Sequence, residues 1–540
     1  MLKNKVRETT FFDDYIWDNF IPQDHKLVKI KEFLNLDFLE PLVKDAYNNE
    51  SPLGRDPIDP RILFMACLLE YLENLSDVET AKKIFEVPLY RYFVGLGPED
   101  KPPDDSTLSF FRTQRMGEEK FKTAFNQIIK QLFAAGLVDG KIQSQDATDM
   151  RANIAILDSF QLLNKCRQNV LEAVKRLDMA LYDKWDKQYG FKIAANPKDK
   201  QKHFKELIAV CQKLFKAALK QRRLLKDKRL HREITILNRA IAERKDEYFD
   251  REGKKQKKEA EKKIVSKMIN PSDPDASWGA KSDKRFFAGY KVESNLDHKY
   301  GIITAVEVEK AGHPEEKAAA PLIREQKNNL GITPEHFTAD AKYDFGDTRV
   351  ELRTEGVKNL YIPLVPTKNK ENGYSLDDFT FERGNLVCPA GYPAQSWYGD
   401  DKKMSFEFKF KAGICRWCLL RSECTTAQTM GRRVLVAASQ LERKTTISFN
   451  ASEEYELVMK RERYKIEPRQ ADLKNNHGLK RARYRGLSRV RVQTYLTAIA
   501  SNLKKWFKYI MGKLENGVLM TLSLLAALVP PKGVVYPDTG

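Results

Sequence analysis

The stretch Gly136-Leu137-Val138-Asp139-Gly140-Lys141-Ile142-Gln143-Ser144-Gln145-Asp146-Ala147-Thr148-Asp149-Met150-Arg151-Ala152-Asn153 decides the architecture. Its glycines mark a turn, and the run after them reads as a short strand ending on an acid, Asp146. Much later GIITAVEVEK (301–310) reads as a strand and EEKAAAPLIREQKNNLG (315–331) as a helix. HFTADAKYD (336–344) then reads as a short strand running into Asp340. Strand, helix, strand and carboxylate in that order are the grammar of an α/β sheet with acids at its strand ends.

Around this core the text changes character by segment. Residues 1–135 carry apolar residues at helical spacing in PRILFMACLLEYLENL and FKTAFNQIIKQLFAAGL. The break between them, PPDDSTLSFFR, supplies a helix stop and then a cap, with Asp105 or Ser106 as the capping oxygen. Two readings stand for this region: a DNA-binding module of helix-turn-helix type, or a helical bundle that packs on the rest. Residues 136–158 and 271–345 read as the two parts of the α/β core. Between them 159–270 is charged and nearly free of Gly and Pro, a long helical pair or coiled-coil-like insertion. Residues 346–450 alternate short strands and loops and hold four of the seven cysteines, and 451–540 are helical again.

At 540 residues, 42% hydrophobic and 31% charged, the chain has the length for several domains and the apolar content for packed cores; wholesale disorder and a collagen-like repeat are excluded. The N-terminal segment lacks an apolar run of export type, so a cytoplasmic, nucleoid-associated protein is expected. The apolar stretch from Gly517 to Val529 is too short for a membrane span and reads as a buried helix. The net charge of +19 points to a polyanion, nucleic acid first. Residues 201–270 hold 22 Lys and Arg against 10 acids, and 460–508 hold 15 against 3, so the surplus lies in these two segments. In the first, a solvated helix face and direct phosphate contact both fit. In the second, Lys480, Arg481, Arg483, Arg485, Arg489 and Arg491 have few acids among them and are expected to line a DNA groove.

Three separated carboxylates, Asp146, Asp340 and Glu467, are the candidate catalytic residues. Hard oxygen ligands suit Mg²⁺ or Mn²⁺, and a pair of such ions can clamp the attacking and leaving oxygens of a phosphoryl transfer. Arg463 and Lys474 stand four residues before and seven after Glu467, which on a continuous helix brings all three to one face. Pro468 complicates that helix.

These residues resemble the DDE-type insertion-sequence transposases, whose catalytic domain has the ribonuclease H-like fold. Arg463, Glu467 and Lys474 fit the spacing of the family's C-terminal signature, although Lys460 stands where it has Tyr. Asp340 and Tyr343 match its Asp-x-x-Tyr. Asp146-Ala147-Thr148 followed by Arg151-Ala152-Asn153 is similar to its Asp-Gly-Thr turn and Lys/Arg-x-Asn. PPDDSTLSFFR, AGYKVESNLD and YRGLSRVRVQTYLTAIASNLKKW resemble three further family stretches, in the same order. The resemblance implies a ribonuclease H-like α/β core split by a helical insertion and a strand-rich one. It further implies that Asp146, Asp340 and Glu467 hold two Mg²⁺ or Mn²⁺ ions, and that Arg463 and Lys474 contact DNA near the scissile bond. The implied reaction is hydrolysis at the ends of a mobile element followed by attack of the 3′-hydroxyls on target DNA, within a synaptic homodimer. A metal-dependent nuclease that cuts without joining, and a non-catalytic DNA-binding derivative of such an enzyme, are the alternatives.

Cys388, Cys415, Cys418 and Cys424 include a CxxC and have the number to form a closed, structural Cys₄ zinc site; reduced, unliganded thiols are the other reading. Cys67, Cys166 and Cys211 lie in helical patterns and read as core residues, as do Trp506 and Phe507. No histidine is assigned a role.

Overall fold

The computed structural model describes residues 10–47, 57–193, 200–245, 267–282, 285–364, 374, 376–400, 405–427 and 429–515. It is a mixed α/β structure with a helical N-terminal region. The central sheet has six strands: β1 (Ile142–Arg151), β2 (Ser277–Ser282), β3 (Arg285–Asp297), β4 (Ile302–Lys310), β5 (His336–Thr338) and β6 (Asn359–Tyr361). β3 runs antiparallel to β1 along one edge, while its other edge takes β2 and β4, also antiparallel. On the far side of β1, β5 and then β6 are parallel to it.

β1 is longer than its sequence suggests. Thr148 and Met150 are buried and continue the strand to Arg151, so Asp146 lies in mid-strand rather than at its end. The alternation stays legible beyond Asp146 because β3 pairs with every residue of that stretch, from Asp146↔Ser294 to Arg151↔Gly289. Gly289 is demanded there: a Cβ would meet the carbonyl oxygen of Met150 at 2.1 Å. Asp340 does follow a strand end, two residues past Thr338. The crossover from β4 to β5 is the helix Ala319–Leu330, which buries Ala319, Ala320, Leu322 and Ile323 and ends on Gly331 in the left-handed conformation.

The N-terminal helices share one core with the sheet and with the C-terminal helix Leu487–Glu515. Phe64, Phe121, Phe125, Val292, Val306, Tyr495 and Ile499 belong to it. Trp506 stacks on Phe33 at 4.3 Å between centroids, as packing. Asn502 clamps β4 by accepting from the Ile303 amide (2.9 Å) and donating to its carbonyl (2.8 Å). The cap of the helix Asp105–Phe110 is Asp104, whose carboxylate accepts from the Thr107 amide, one residue before the expected position. Leu108 and Phe111 are thereby phased inward.

Between β1 and β2 the described residues form four α-helices rather than a long pair or coiled coil: Ser159–Leu177, Met179–Tyr189, Lys200–Leu219 and Lys228–Arg244. Gly190 and the turn around Gln221 break the periodicity, and the helices close on their own core around Leu163, Cys166, Trp185, Leu207 and Leu237. Cys67, Cys166 and Cys211 are fully buried. After β6 come the hairpin β7 (Thr380–Glu382) and β8 (Asn385–Val387) and the sheet β9 (Ser396–Asp400), β10 (Ser405–Lys409) and β11 (Arg433–Ala437). The stretch 517–529 lies outside the described residues. Among the described residues no helix is long and apolar enough to cross a membrane.

Candidate active site and nucleic-acid interface

Asp146 and Asp340 are brought together. The register places Ser144 beside Thr338, and two residues farther along each chain stand the two acids. Burial pushes the Asp146 carboxyl up to about 6; the Ala147 amide opposes this, and the negative charges of Asp340 and Glu315 add to it. Asp340 is raised as well, first by burial and then by Glu315, against the pull of its bond from the Lys342 amide (2.8 Å) and of the Lys342 and Arg463 charges. This is the electrostatic condition a divalent cation relieves: two partly desolvated hard-oxygen groups, each holding its proton too tightly for lack of positive charge.

Four neighbours, Glu293, Glu315, Lys291 and Lys342, passed unnoticed in the sequence. Glu293, opposite Ala147 on β3, is 1% exposed, accepts the Tyr343 hydroxyl at 2.6 Å and is held above the ordinary carboxylate range by burial. Glu315 is bridged by Lys291 and Lys342, each at 3.0 Å. Lys291, Glu293 and Lys342 lie inside stretches quoted above, AGYKVESNLD and TADAKYD. Their signal was present but had no partner until β3 paired with β1.

Glu467 stands apart. It is in the first turn of the helix Ile466–Asn476, exposed, and among the described residues it has no ion pair. The same helix is nevertheless fastened over the site: Gln470, one turn on, donates to the Ser294 hydroxyl (2.9 Å) and the Asp146 carbonyl (3.3 Å), and Lys474 reaches Asp149 at 2.5 Å. Pro468 fits in this first turn, where no intrahelical acceptor awaits its missing N–H. Arg463, however, sits in a separate 3₁₀ turn, Arg463–Lys465, so one helical face does not carry all three residues. Among the described residues no group of three or more His, Cys, Asp or Glu side chains converges to ligand geometry.

The 3₁₀ turn is anchored by a row of side chains. Glu462 accepts from Lys465 (2.6 Å) and meets His298 Nδ1 at 2.7 Å, His298 Nε2 lies 2.5 Å from the Ser144 hydroxyl, and Ser144 meets Thr338 at 2.6 Å. Serine, histidine and acid in a line evoke a hydrolase triad. Ser144 is 1% exposed and its hydroxyl is shared with Thr338, so no substrate reaches it. The row is a strut that ties the Arg463 turn to β1 and β5, and it gives His298 a structural part that the sequence did not reveal.

The basic segment divides. Arg483 donates to Glu70 (2.8 Å) and lies over the Tyr71 ring, while Arg491 pairs with Glu118 and Glu307, both at 2.8 Å. Both are bound within the protein. Lys480, Arg481, Arg485 and Arg489 are exposed, with Arg481 and Arg485 gathered at Asn153. Periodicity could not separate the two sets, because the partners of Arg483 and Arg491 lie in other segments.

The four cysteines line one small cavity of about 30 Å³, together with Tyr374, Arg421 and Arg432. Cys388 opens a tight turn in which Gly391 N–H bonds back to its carbonyl (2.8 Å). Burial raises the Cys424 thiol, the charge of Arg432 lowers it, and the other three cysteines raise it further.

Two family models match the chain: one described as a transposase domain (DUF772) over residues 15–114, and one described as a transposase DDE domain over residues 387–507. No curated protein and no solved structure matches. The first match covers the N-terminal helices and the second runs from the Cys388 turn through Glu467 to the C-terminal helix. In the order in which they occur, these two matches support an insertion-sequence transposase of the DDE type.

Proposed function

We propose that the protein cuts the ends of a mobile DNA element in a divalent-metal-dependent reaction and joins the freed 3′-hydroxyls to target DNA. The observation that carries this reading is the Asp146–Asp340 pair: two neighbouring carboxyl groups raised by burial and by the charge of Glu315, with Asp340 adding to the rise at Asp146, on a sheet of order β4-β3-β1-β5-β6. That order, antiparallel through β3 and β4 and parallel through β5 and β6, supports a ribonuclease H-like core in residues 136–158, 271–345 and 451–540. Residues 159–270 and 346–450 are its insertions. Asp146 and Asp340 fit two Mg²⁺ or Mn²⁺ ions by donor type and charge, with Glu467 as the third ligand from the helix fastened by Gln470. When bound, the ions activate the attacking oxygen and stabilise the leaving one. The chain's own contribution is position. Lys342 and Lys291 offset the charge of Glu315 beside the pair, and the His298 strut sets the Arg463 turn toward the phosphate beside the scissile bond. Lys474, Lys480, Arg481, Arg485 and Arg489 draw the DNA backbone across the site, in a homodimer that holds both element ends.

Cys388, Cys415, Cys418 and Cys424 line one cavity and have the donor type and number for one structural Zn²⁺, which would draw their thiolates into a closed tetrahedral shell. Metal analysis of freshly purified protein should give one zinc per chain, lost in C415S/C418S; absence of zinc removes this assignment.

The decisive experiment incubates wild type, D146N, D340N and E467Q with Mg²⁺ and labelled DNA bearing the sequences that flank the reading frame. Cleavage and joined products with wild type alone support the proposal. Cleavage without joining reassigns the protein as a nuclease. Activity in all four, or biological effect without any chemistry, removes the acids from the mechanism.

A further inference from the structure

A second polar cavity, of about 440 Å³, opens where the four-helix body meets the core. Lys165, Asn169 and Glu172 line it from the helix Ser159–Leu177, and Arg229, Arg232 and Glu233 from the helix Lys228–Arg244. The turn Pro271–Ser272 and Arg485 close it from the core side. Glu233 is already engaged, by Arg232 at 2.9 Å and by Asn169 at 3.1 Å. Lys165 and Arg229 are exposed and, among the described residues, form no ion pair. The cavity therefore presents cations from three separate segments with one unengaged acid, Glu172, between them.

Its position relates it to the acids. β1 runs five residues past Asp146 to Arg151, about 17 Å at ~3.3 Å per residue. Just beyond, Asn153 accepts from Arg481 (3.2 Å) and its carbonyl from Arg485 (3.1 Å), and Arg485 is also in the cavity wall. Exposed cations thus continue from the end of β1 into the cleft. On a duplex rising ~3.4 Å per base pair this distance corresponds to roughly five base pairs.

We propose that this cleft holds the sugar–phosphate backbone of the bound DNA about half a helical turn or more from the cut phosphate, with Lys165, Arg229 and Arg232 as its phosphate contacts. The helical insertion is then part of the DNA-binding surface and not a solvated spacer. The proposal rests on the transposase reading and adds a site to it.

The test compares wild type, K165A/R229A/R232A and a control of equal charge change on another helix of the same body and the turn that follows it, K213A/K216A/K220A. Binding to a fluorescent duplex of about 30 base pairs is followed by anisotropy across a salt series, with thermal melts to show that each protein is folded. The cleft variant should lose about tenfold or more in affinity near physiological salt. Its dependence of log K on log salt should flatten by about two to three, since each lost phosphate contact removes ~0.9. The control should bind like wild type, and shortening the duplex to under five base pairs from the cut should erase the difference. Equal losses in both variants, or none in the cleft variant, overturn the cleft assignment while wild-type binding and cleavage stand. Failure of wild type to bind or cut DNA overturns the reading beneath it.

Discussion

Two of the charge clusters buried among the described residues are built on opposite principles. At Glu70, Arg112, Asp77 and Arg483 every charge has a partner: Arg112 reaches Glu70 at 2.8 Å and Asp77 at 2.5 Å, and Arg483 takes the other Glu70 oxygen at 2.8 Å. At Asp146 and Asp340 like charges are neighbours, and Lys342, whose charge reaches both, is ion-paired instead to Glu315, as is Lys291. The first closes a joint between the N-terminal helices and the C-terminal segment. The second leaves a deficit of positive charge that protein alone does not fill. On the proposed function, buried charge marks the working site only where its compensation is missing.

The largest effect expected from breaking this contrast is at the paired cluster. Arg112→Ala leaves Glu70 buried with half its partners and should destabilise the fold by about 3–5 kcal/mol, measured by denaturant unfolding. Asp340→Asn should behave oppositely: DNA cleavage falls on the order of 10³-fold, equivalent to several kcal/mol of transition-state stabilisation, while the melting temperature holds or rises. A melting temperature that falls in D340N as it does in R112A would show that the two clusters are of one kind.

A pH series sharpens the point. Asp146 is near 3.8 when unfolded and about 6 when folded, so the native state binds its proton more tightly. The stability this contributes is fully present below about 3.8 and is lost as pH rises through about 6. Subtracting melts of D146N from those of wild type should isolate a decline across that window. Added Mg²⁺ should reverse the decline in wild type alone, since an ion bound only by the native state stabilises it. The smallest effect is local: Asp104→Ala removes the cap of the helix Asp105–Phe110 and should cost about 1 kcal/mol, with cleavage kinetics unchanged.

Most of the stretches by which the sequence resembled its family turn out to hold the molecule together. Arg112 of PPDDSTLSFFR lies 4.9 Å from the Tyr484 ring of the YRGL stretch. Tyr290 of AGYKVESNLD donates to Asp273 (2.5 Å), which also accepts from the Gly486 amide (3.1 Å). Asn502 clamps β4. Their residue types were legible, but their purpose was not, because each acts on a partner more than ten residues away. Asp146 and Asp340 were legible through strand patterns on either side of a long insertion. The extent of β1 was not, since its continuation past Asp146 depends on β3. Arg483 and Arg491 looked like Arg485 for the same reason: a local pattern records a charge without its partner.

The shared core of the N-terminal helices, the sheet and the C-terminal helix has a mechanical corollary. Phe64 and Phe125 are packed in the same interior as Val292 of β3, so no hinge separates whatever the front of the chain grips from the acids on β1 and β5. On the proposed function the molecule would work as a ruler of fixed length. The spacing between a recognised sequence and the broken bond would be set by how these layers are stacked, and changing it would require rebuilding the interior, not lengthening a tether.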